Sequence, residues 1–149
     1  MEGLIIREMN KVDLNDLSEV YMKVYNEYLD EQWTKESAYK LLSHLFKIQT
    51  DLSFVAVLNK KIIGGFIKPV KPWWNGYLME NGELFIDPKY RKKGVAQKLV
   101  LALFEKAKKI YSPNRTQLIT FKDKIAYNWY KKLGYNEHKN WVILEGDFN

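Results

Sequence analysis

The sequence predicts an α+β fold: one domain over residues 1–149, built on a central mixed, mainly antiparallel sheet of six to seven strands flanked by about four helices. Three observations carry this. The length of 149 residues is near the commonest size for a single domain. The spacing of apolar residues switches between a period of two and periods of three to four, giving the order β-α-α-β-β-β-α-β-α-β-β. No low-complexity stretch, internal repeat or flexible linker interrupts that order.

Leu4 to Met9 reads as the first strand. Asn10 or Asp13 can cap a helix whose apolar positions Leu14, Leu17, Val20, Tyr21, Val24 and Tyr28 recur at spacings of three and four, to about Leu29. Thr34, with Ser37 three residues on, opens a second helix with an apolar stripe of Ala38, Leu41, Leu42, Leu45, Phe46 and Ile48, and His44 facing solvent. Ser53 to Leu58 and Ile62 to Ile67 flank the turn Asn59-Lys60-Lys61 as a hairpin, and Gly64-Gly65 indicates a bulge or a close approach. Pro69 and Pro72 bracket a loop through Trp73-Trp74-Asn75-Gly76, followed by a strand from about Tyr77 to Ile86 that Pro88 stops.

Gly94 to about Lys109 is the most periodic helix, with Val95, Leu99, Ala102, Leu103 and Phe104 or Ala107 inward and Lys92, Lys98, Lys106, Lys108 and Lys109 outward. Ser112-Pro113-Asn114 ends it. Gln117 to Phe121 reads as a strand, Asp123 as the N-cap of a helix from Lys124 to Leu133, Gly134 as its left-handed C-terminal residue, and Trp141 to Glu145 as a final strand.

Composition narrows the function. Without cysteine there is no disulfide, thiolate metal site or Cys nucleophile, and two histidines are too few for a usual zinc site, so no metal is expected. No export signal opens the chain, and the longest pure apolar run is Leu99 to Phe104, which gives no membrane span and a cytoplasmic expectation. The 24 Lys and Arg against 18 Asp and Glu leave +6, a balance that favours an anionic partner without choosing among nucleic acid, a phosphorylated cofactor and an acidic substrate.

The most informative stretch is Glu83-Leu84-Phe85-Ile86-Asp87-Pro88-Lys89-Tyr90-Arg91-Lys92-Lys93-Gly94-Val95-Ala96: a strand, a basic turn and a helix start. Successive backbone N–H groups and the positive end of the helix dipole make an anion cradle there, and the chemistry implied is pyrophosphate binding. The spacing fits neither a Walker loop nor the dinucleotide G-x-G-x-x-G pattern.

This stretch resembles the R/Q-x-x-G-x-G/A motif of the GNAT superfamily of N-acetyltransferases, with Arg91, Gly94 and Ala96 on the defining positions. Ala126-Tyr127-Asn128-Trp129-Tyr130-Lys131-Lys132-Leu133-Gly134-Tyr135 is similar to the family's second motif, N-x-x-A-x-x-F-Y-x-x-x-G-F, with Asp123 where the family has Asn. A carboxylate can cap a helix but cannot donate as an amide does. The resemblance implies a GNAT-like fold and acetyl-coenzyme A as acyl donor. It implies that Leu84, Phe85, Ile86, Arg91, Lys92, Lys93, Gly94, Val95, Ala96, Asp123 and Ala126 hold that donor, with the pantetheine arm in a gap between the strand ending at Pro88 and the one near Leu118. It also implies that the Ile86 N–H polarises the thioester carbonyl.

The acceptor amine must lose a proton before attack, and Glu83, five residues before Pro88, is the candidate base, acting directly or through water. An edge-of-sheet carboxylate without such a role is the alternative. Tyr130 is the matching acid for the departing thiolate, and core packing is its alternative. Trp73, Trp74, Tyr77, Tyr25, Tyr28 and Trp33 are candidate walls of an acceptor pocket, and Asp30, Glu31 and Glu80 could attract a cationic amine. The resemblance implies as acceptor a primary amine of a small molecule or peptide, which the sequence does not identify. A homodimer is allowed, and neither a membrane nor a nucleic acid is the expected partner. Two other readings stay open: a catalytically weak acyl-coenzyme A-binding sensor or partner module, and a basic nucleic-acid-binding module using Arg91, Lys92, Lys93 and exposed aromatics.

Overall fold

The computed structural model describes residues 1–29 and 31–148. They divide into two compact units, Met1–Leu118 and Ile119–Asn149.

In the first unit, β1 (Leu4–Glu8) leads through a 3-10 turn at Lys11–Asp13 into α1 (Leu14–Leu29). Both capping candidates act here. Asn10 heads the turn, and its N–H donates to Asp13 Oδ2 at 2.7 Å, while Arg7 grips both oxygens of that buried carboxylate at 2.7 and 2.8 Å. The Arg7 hydrogen bonds outweigh burial and hold the Asp13 carboxyl below its usual range. α2 (Lys35–Ile48) opens on a reciprocal box: Thr34 Oγ1 accepts from the Ser37 N–H at 3.0 Å and Ser37 Oγ from the Thr34 N–H at 2.9 Å. Ala38 and Leu42 carry its buried stripe, but Ile48 is 54% exposed, because the stripe has rotated off the core by the last turn.

β2 (Ser53–Leu58) and β3 (Lys61–Ile67) form the expected hairpin. Asn59 and Lys60 connect them with φ of 47° and 67°, the left-handed pair that matches strand twist in a two-residue turn. The register shifts between Ala56 and Val57, with Ile63 as the extra residue, so Ile62 and Ile67 face the same way despite their odd separation. Gly64 lies against the neighbouring strand, where a Cβ would stand 2.6 Å from the Phe85 carbonyl oxygen.

The next segment departs from the sequence reading. The stretch bracketed by prolines is a strand, β4 (Val70–Trp73), and the single strand expected from Tyr77 to Ile86 is two, β5 (Gly76–Met79) and β6 (Glu83–Ile86). β5 pairs with β4 up to Met79 opposite Val70, and β6 with β3 from Glu83 opposite Ile67. Between these rungs three residues, 80–82, oppose two, Lys68 and Pro69. Proline has no N–H to continue a ladder, so the pairing breaks and the strands enter different sheets.

α3 (Val95–Ile110) buries Val95, Leu99, Leu103 and Ala107. The strand expected over Gln117–Phe121 is instead β7 (Arg115–Thr116), parallel to β5, and the Gln117 N–H donates to the Met79 carbonyl at 3.0 Å. Among the described residues seven strands therefore form a four-stranded antiparallel sheet, β1-β2-β3-β6, and a three-stranded one, β4-β5-β7. α1 and α2 pack on the face of the larger sheet that shows Val55, Ile62, Ile67 and Phe85, and α3 packs on the face that shows Phe54, Ala56, Phe66 and Ile86. This alternation along β2 and β6 makes the larger sheet the central layer of an α/β/α sandwich.

The second unit holds α4 (Ile125–Lys132). Its N-cap is Lys124 and not Asp123, whose exposed carboxylate instead lies 3.5 Å from Lys124 Nζ, because the helix starts one residue later than expected. The final strand expected over Trp141–Glu145 is not formed among the described residues; Val142 and Leu144 are 80% and 88% exposed. Local β preference needs a neighbouring ladder to become a strand, and none is present there. Among the described residues no helix is long and apolar enough to cross a membrane.

Candidate active site

β6 is the last strand of the larger sheet, and its edge away from β3 is where main-chain groups are offered. The Asp87 N–H donates to the Ile63 carbonyl at 2.9 Å, so that pair and, by antiparallel alternation, Phe85 with Gly65 are the hydrogen-bonded rungs. The main-chain groups of Leu84 and Ile86 consequently point to the other edge. Arg91 Nε donates to the Ile86 carbonyl at 3.3 Å, which agrees with that direction and leaves the Ile86 N–H beside it. Phe85, by contrast, is committed to β3 through its main chain and buried through its ring.

Eight residues beyond Ile86 the chain reaches Gly94, in the turn expected from the sequence to cradle an anion. Pro88–Tyr90 forms one 3-10 turn, headed by Asp87, whose Oδ1 accepts from the Lys89 N–H at 3.0 Å. Both oxygens of Asp87 also accept from Lys23 Nζ at 3.0 Å, fastening this turn to α1. Burial opposes ionisation most strongly, but the Lys89 N–H and Lys23 prevail and hold the carboxyl below its usual range. Lys92 and Gly94 then adopt left-handed φ of 59° and 77°. Nothing lies within 4 Å of where a Gly94 Cβ would stand, so backbone conformation and not crowding calls for glycine. Val95 starts α3 behind it, with the first-turn N–H groups lacking intrahelical partners, half-buried Ala96 beside them, and exposed Lys92 and Lys93 around the mouth.

At the other end of β6, Glu83 sits on the α1 side. Its Oε2 accepts from Tyr25 OH at 2.7 Å and Tyr21 OH at 3.2 Å. The two tyrosines are one helical turn apart and stack at 4.3 Å, with Trp33 and Phe85 each edge-on to Tyr21 at 5.1 Å. Asn26 holds Trp33 by its main chain, Oδ1 accepting at 2.7 Å and Nδ2 donating at 2.9 Å, and the indole N–H donates to Glu31. Burial pushes the Glu83 carboxyl above its usual range, the tyrosine hydroxyls pull it back part of the way, and the Glu31 charge pushes it further up. Burial, and then the charge of Glu83, push both tyrosines far up, so they stay protonated donors.

Of the other candidate acceptor residues, Tyr25, Trp33 and Glu31 join this cluster. Trp73, Trp74 and Tyr77 belong to the β4–β5 hairpin of the second sheet, and Glu80 is ion-paired with Lys71. Asp30 and the side chain of Tyr28 lie outside the described residues. Sequence reasoning missed Tyr21 as a partner of Glu83, since its place in the apolar stripe hid its hydroxyl; the Tyr21–Tyr25 spacing of four was the available signal. It also missed Lys68, a buried lysine whose pKa burial lowers to about 8 against the opposing pull of Glu80.

In the second unit the Tyr135 N–H donates to the Tyr130 carbonyl at 3.1 Å and the Gly134 N–H to the Lys131 carbonyl at 3.1 Å, with φ of 92° at Gly134. That is a Schellman ending, and its usual apolar contact is present as Tyr130 against Tyr135 at 5.4 Å. The spacing Tyr130, Gly134, Tyr135 is thus what closing this helix requires. Tyr130 and Ala126 are half-buried on it.

The first unit thus joins an antiparallel sheet ending in β6 to a left-handed glycine turn that opens a helix. Comparison with known proteins gives this fold its family. Residues 49–137 match the family described as acetyltransferase (GNAT) domain, and the chain belongs to that family. It is 30% identical over 148 residues to an uncharacterised N-acetyltransferase of Methanocaldococcus jannaschii, covering 93% of this chain and 65% of that protein's length. Among solved structures it is similar to a possible acetyltransferase from Clostridium difficile, at TM-score 0.80, 18% identity and 99% coverage of both chains. An aminoglycoside N-acetyltransferase crystallised with coenzyme A is similar at TM-score 0.72 and 20% identity, over 96% of this chain and 94% of that one.

Proposed function

We propose that the chain is an acetyl-coenzyme A-dependent N-acetyltransferase, acting as a single domain over residues 1–149 on a primary amine of a small molecule or peptide. The observation that carries this reading is the order of parts along one short segment: carboxylate at Glu83, outward main chain at Leu84 and Ile86, cradle at Arg91–Ala96. Those parts match, end to end, the amine, thioester and pyrophosphate of a reacting pair. The coenzyme A complex of the similar aminoglycoside acetyltransferase supports the choice of donor.

In this reading the N–H groups of Gly94, Val95 and Ala96 and the dipole of α3 take the pyrophosphate, with Arg91, Lys92 and Lys93 as counter-charges. The pantetheine arm bonds the free edge of β6 at Leu84 and Ile86, while Phe85 packs beneath. The family's second motif adds Ala126 and Asp123 to the residues that hold the donor. The amine nitrogen attacks the acetyl carbonyl carbon, whose oxygen becomes negative and is held by the Ile86 N–H, a role worth a few kcal/mol. Glu83 takes the proton from the amine. Burial raises its pKa, which makes its ionised form a better proton acceptor than an ordinary carboxylate. The C–S bond breaks as the tetrahedral intermediate collapses, and Tyr130 gives the leaving sulfur its proton.

The test is a thiol-release assay with acetyl-coenzyme A and a panel of primary amines. Release that depends on an amine and falls with Glu83→Gln is the expected result. Coenzyme A binding without release for any amine would favour the sensor reading instead.

A further inference from the structure

We propose that Lys23 is a positioning residue for the acyl donor: its ion pair with Asp87 pins the turn between β6 and α3 in the shape that presents its main chain to a pyrophosphate. The inference rests on the reading of Arg91–Ala96 as the pyrophosphate site, and every residue it uses belongs to the first unit.

The turn runs from the end of β6 to the first buried residue of α3. At one end the Asp87 N–H is held by the Ile63 carbonyl, and at the other Val95 is buried in the core. Between them the chain leaves the sheet at Pro88, makes one 3-10 turn and passes through two left-handed residues, Lys92 and Gly94. Gly94 adopts its φ of 77° without strain, whereas Lys92 holds 59° against the preference of a residue with a Cβ. A backbone of that kind persists where its surroundings determine it. The segment therefore needs a fixed start as well as the buried start of α3.

Asp87, 5% exposed, supplies that start. Its carbonyl accepts from the Tyr90 N–H at 2.8 Å and its Oδ1 from the Lys89 N–H at 3.0 Å, so one residue closes the turn through main chain and side chain together. A buried carboxylate needs a donor on each oxygen. Lys23 reaches both, at 3.0 Å each, from the middle of α1, and Lys61 adds a weaker pull of charge. With Lys23 removed, Oδ2 loses its donor and Oδ1 keeps one, a state relieved when the carboxylate swings toward water and drops the Lys89 N–H. The turn then loses its cap, and the path to Lys92 and Gly94 loses its fixed start. α1 also carries Tyr21 and Tyr25, which bond Glu83 four residues earlier, so one helix fastens β6 at both ends. The two fastenings use different side chains. Loss of Lys23 is therefore expected in donor binding and not in proton transfer at Glu83.

The experiment is calorimetry of coenzyme A, and of inorganic pyrophosphate as its competitor, with native protein, Lys23→Met, Lys23→Arg and the surface control Lys40→Met, which removes an exposed pair with Glu36. Loss of hydrogen bonds to a charged group sets the expected size: folded Lys23→Met binds both ligands roughly tenfold more weakly, with a matching rise in KM for acetyl-coenzyme A. Its kcat and its KM for the amine stay within about twofold of native, as do all constants of Lys40→Met, and Lys23→Arg recovers most of the donor affinity because its fork also reaches both oxygens. In an Asp87→Asn background, Lys23→Met should change coenzyme A affinity by less than about twofold, since the charge it answers is gone. Native donor affinity in folded Lys23→Met, or a fall in kcat as large as the rise in donor KM, would overturn the inference. Should Lys23→Met fail to fold, Lys23→Gln takes its place, with weakened binding supporting the pin and native affinity overturning it. If native protein binds no coenzyme A, the reading of the pyrophosphate site falls and the inference with it; if native protein and the folded variant bind equally, only the inference falls.

Discussion

In the proposed reaction Glu83 is the proton acceptor. With both tyrosine hydroxyls on Oε2, its other oxygen is the one that can meet an amine proton. Glu83→Gln is expected to lower kcat by about 10²–10⁴ while leaving coenzyme A affinity near native, measured by thiol release and calorimetry. The pH dependence follows from the direction of the shift. Because burial raises the carboxyl above its ordinary range, kcat/KM should fall on acidification at a pH above that of an exposed glutamate. The Tyr25 hydroxyl opposes that elevation, so Tyr25→Phe should move this acid limb to still higher pH; a limb that stays put or moves down would contradict the arrangement. Glu83 was legible in the sequence from its distance to Pro88. The hydroxyls that tune it were not, since Tyr21 reads equally well as core and the pairing spans 62 residues.

At the scale of elements, the local rules carried furthest where an element closes on itself. Thr34 with Ser37, Asn10 with Asp13, and Gly134 after Tyr130 were readable because each cap is complete within a few residues. The strands around Pro69 and Gln117 were not, because where a strand ends depends on a partner distant in sequence. The break between β5 and β6 comes from counting residues on two chains at once, and the count of strands agreed with expectation while their boundaries did not. Gly134→Ala tests the Schellman ending. Forcing an alanine to φ of 92° is expected to cost about 1–2 kcal/mol, read as a lower Tm of the variant, with Gly134→Asn losing less. Gly94→Ala carries a similar penalty at φ of 77° and, unlike Gly134→Ala, should also weaken binding of inorganic pyrophosphate as a competitor of coenzyme A.

At the largest scale the first unit is a sandwich, in which one sheet is covered by α1 and α2 on one face and α3 on the other, with a discontinuity between its two sheets. Family membership and the α+β class were visible from two motifs and the order of elements. The sheet split was not, because it follows from residues 80–82 opposing Lys68 and Pro69, a mismatch that belongs to two strands at once. If the proposed donor site is correct, coenzyme A at about 100 times its Kd should stabilise the fold by about 2.7 kcal/mol and raise Tm on the order of 5–10 °C. The most direct test of the central claim is calorimetric titration of the native protein with acetyl-coenzyme A, followed by thiol detection on adding primary amines. The account predicts saturable one-site binding, competed by coenzyme A, and amine-dependent thiol release; no heat with either nucleotide would contradict it.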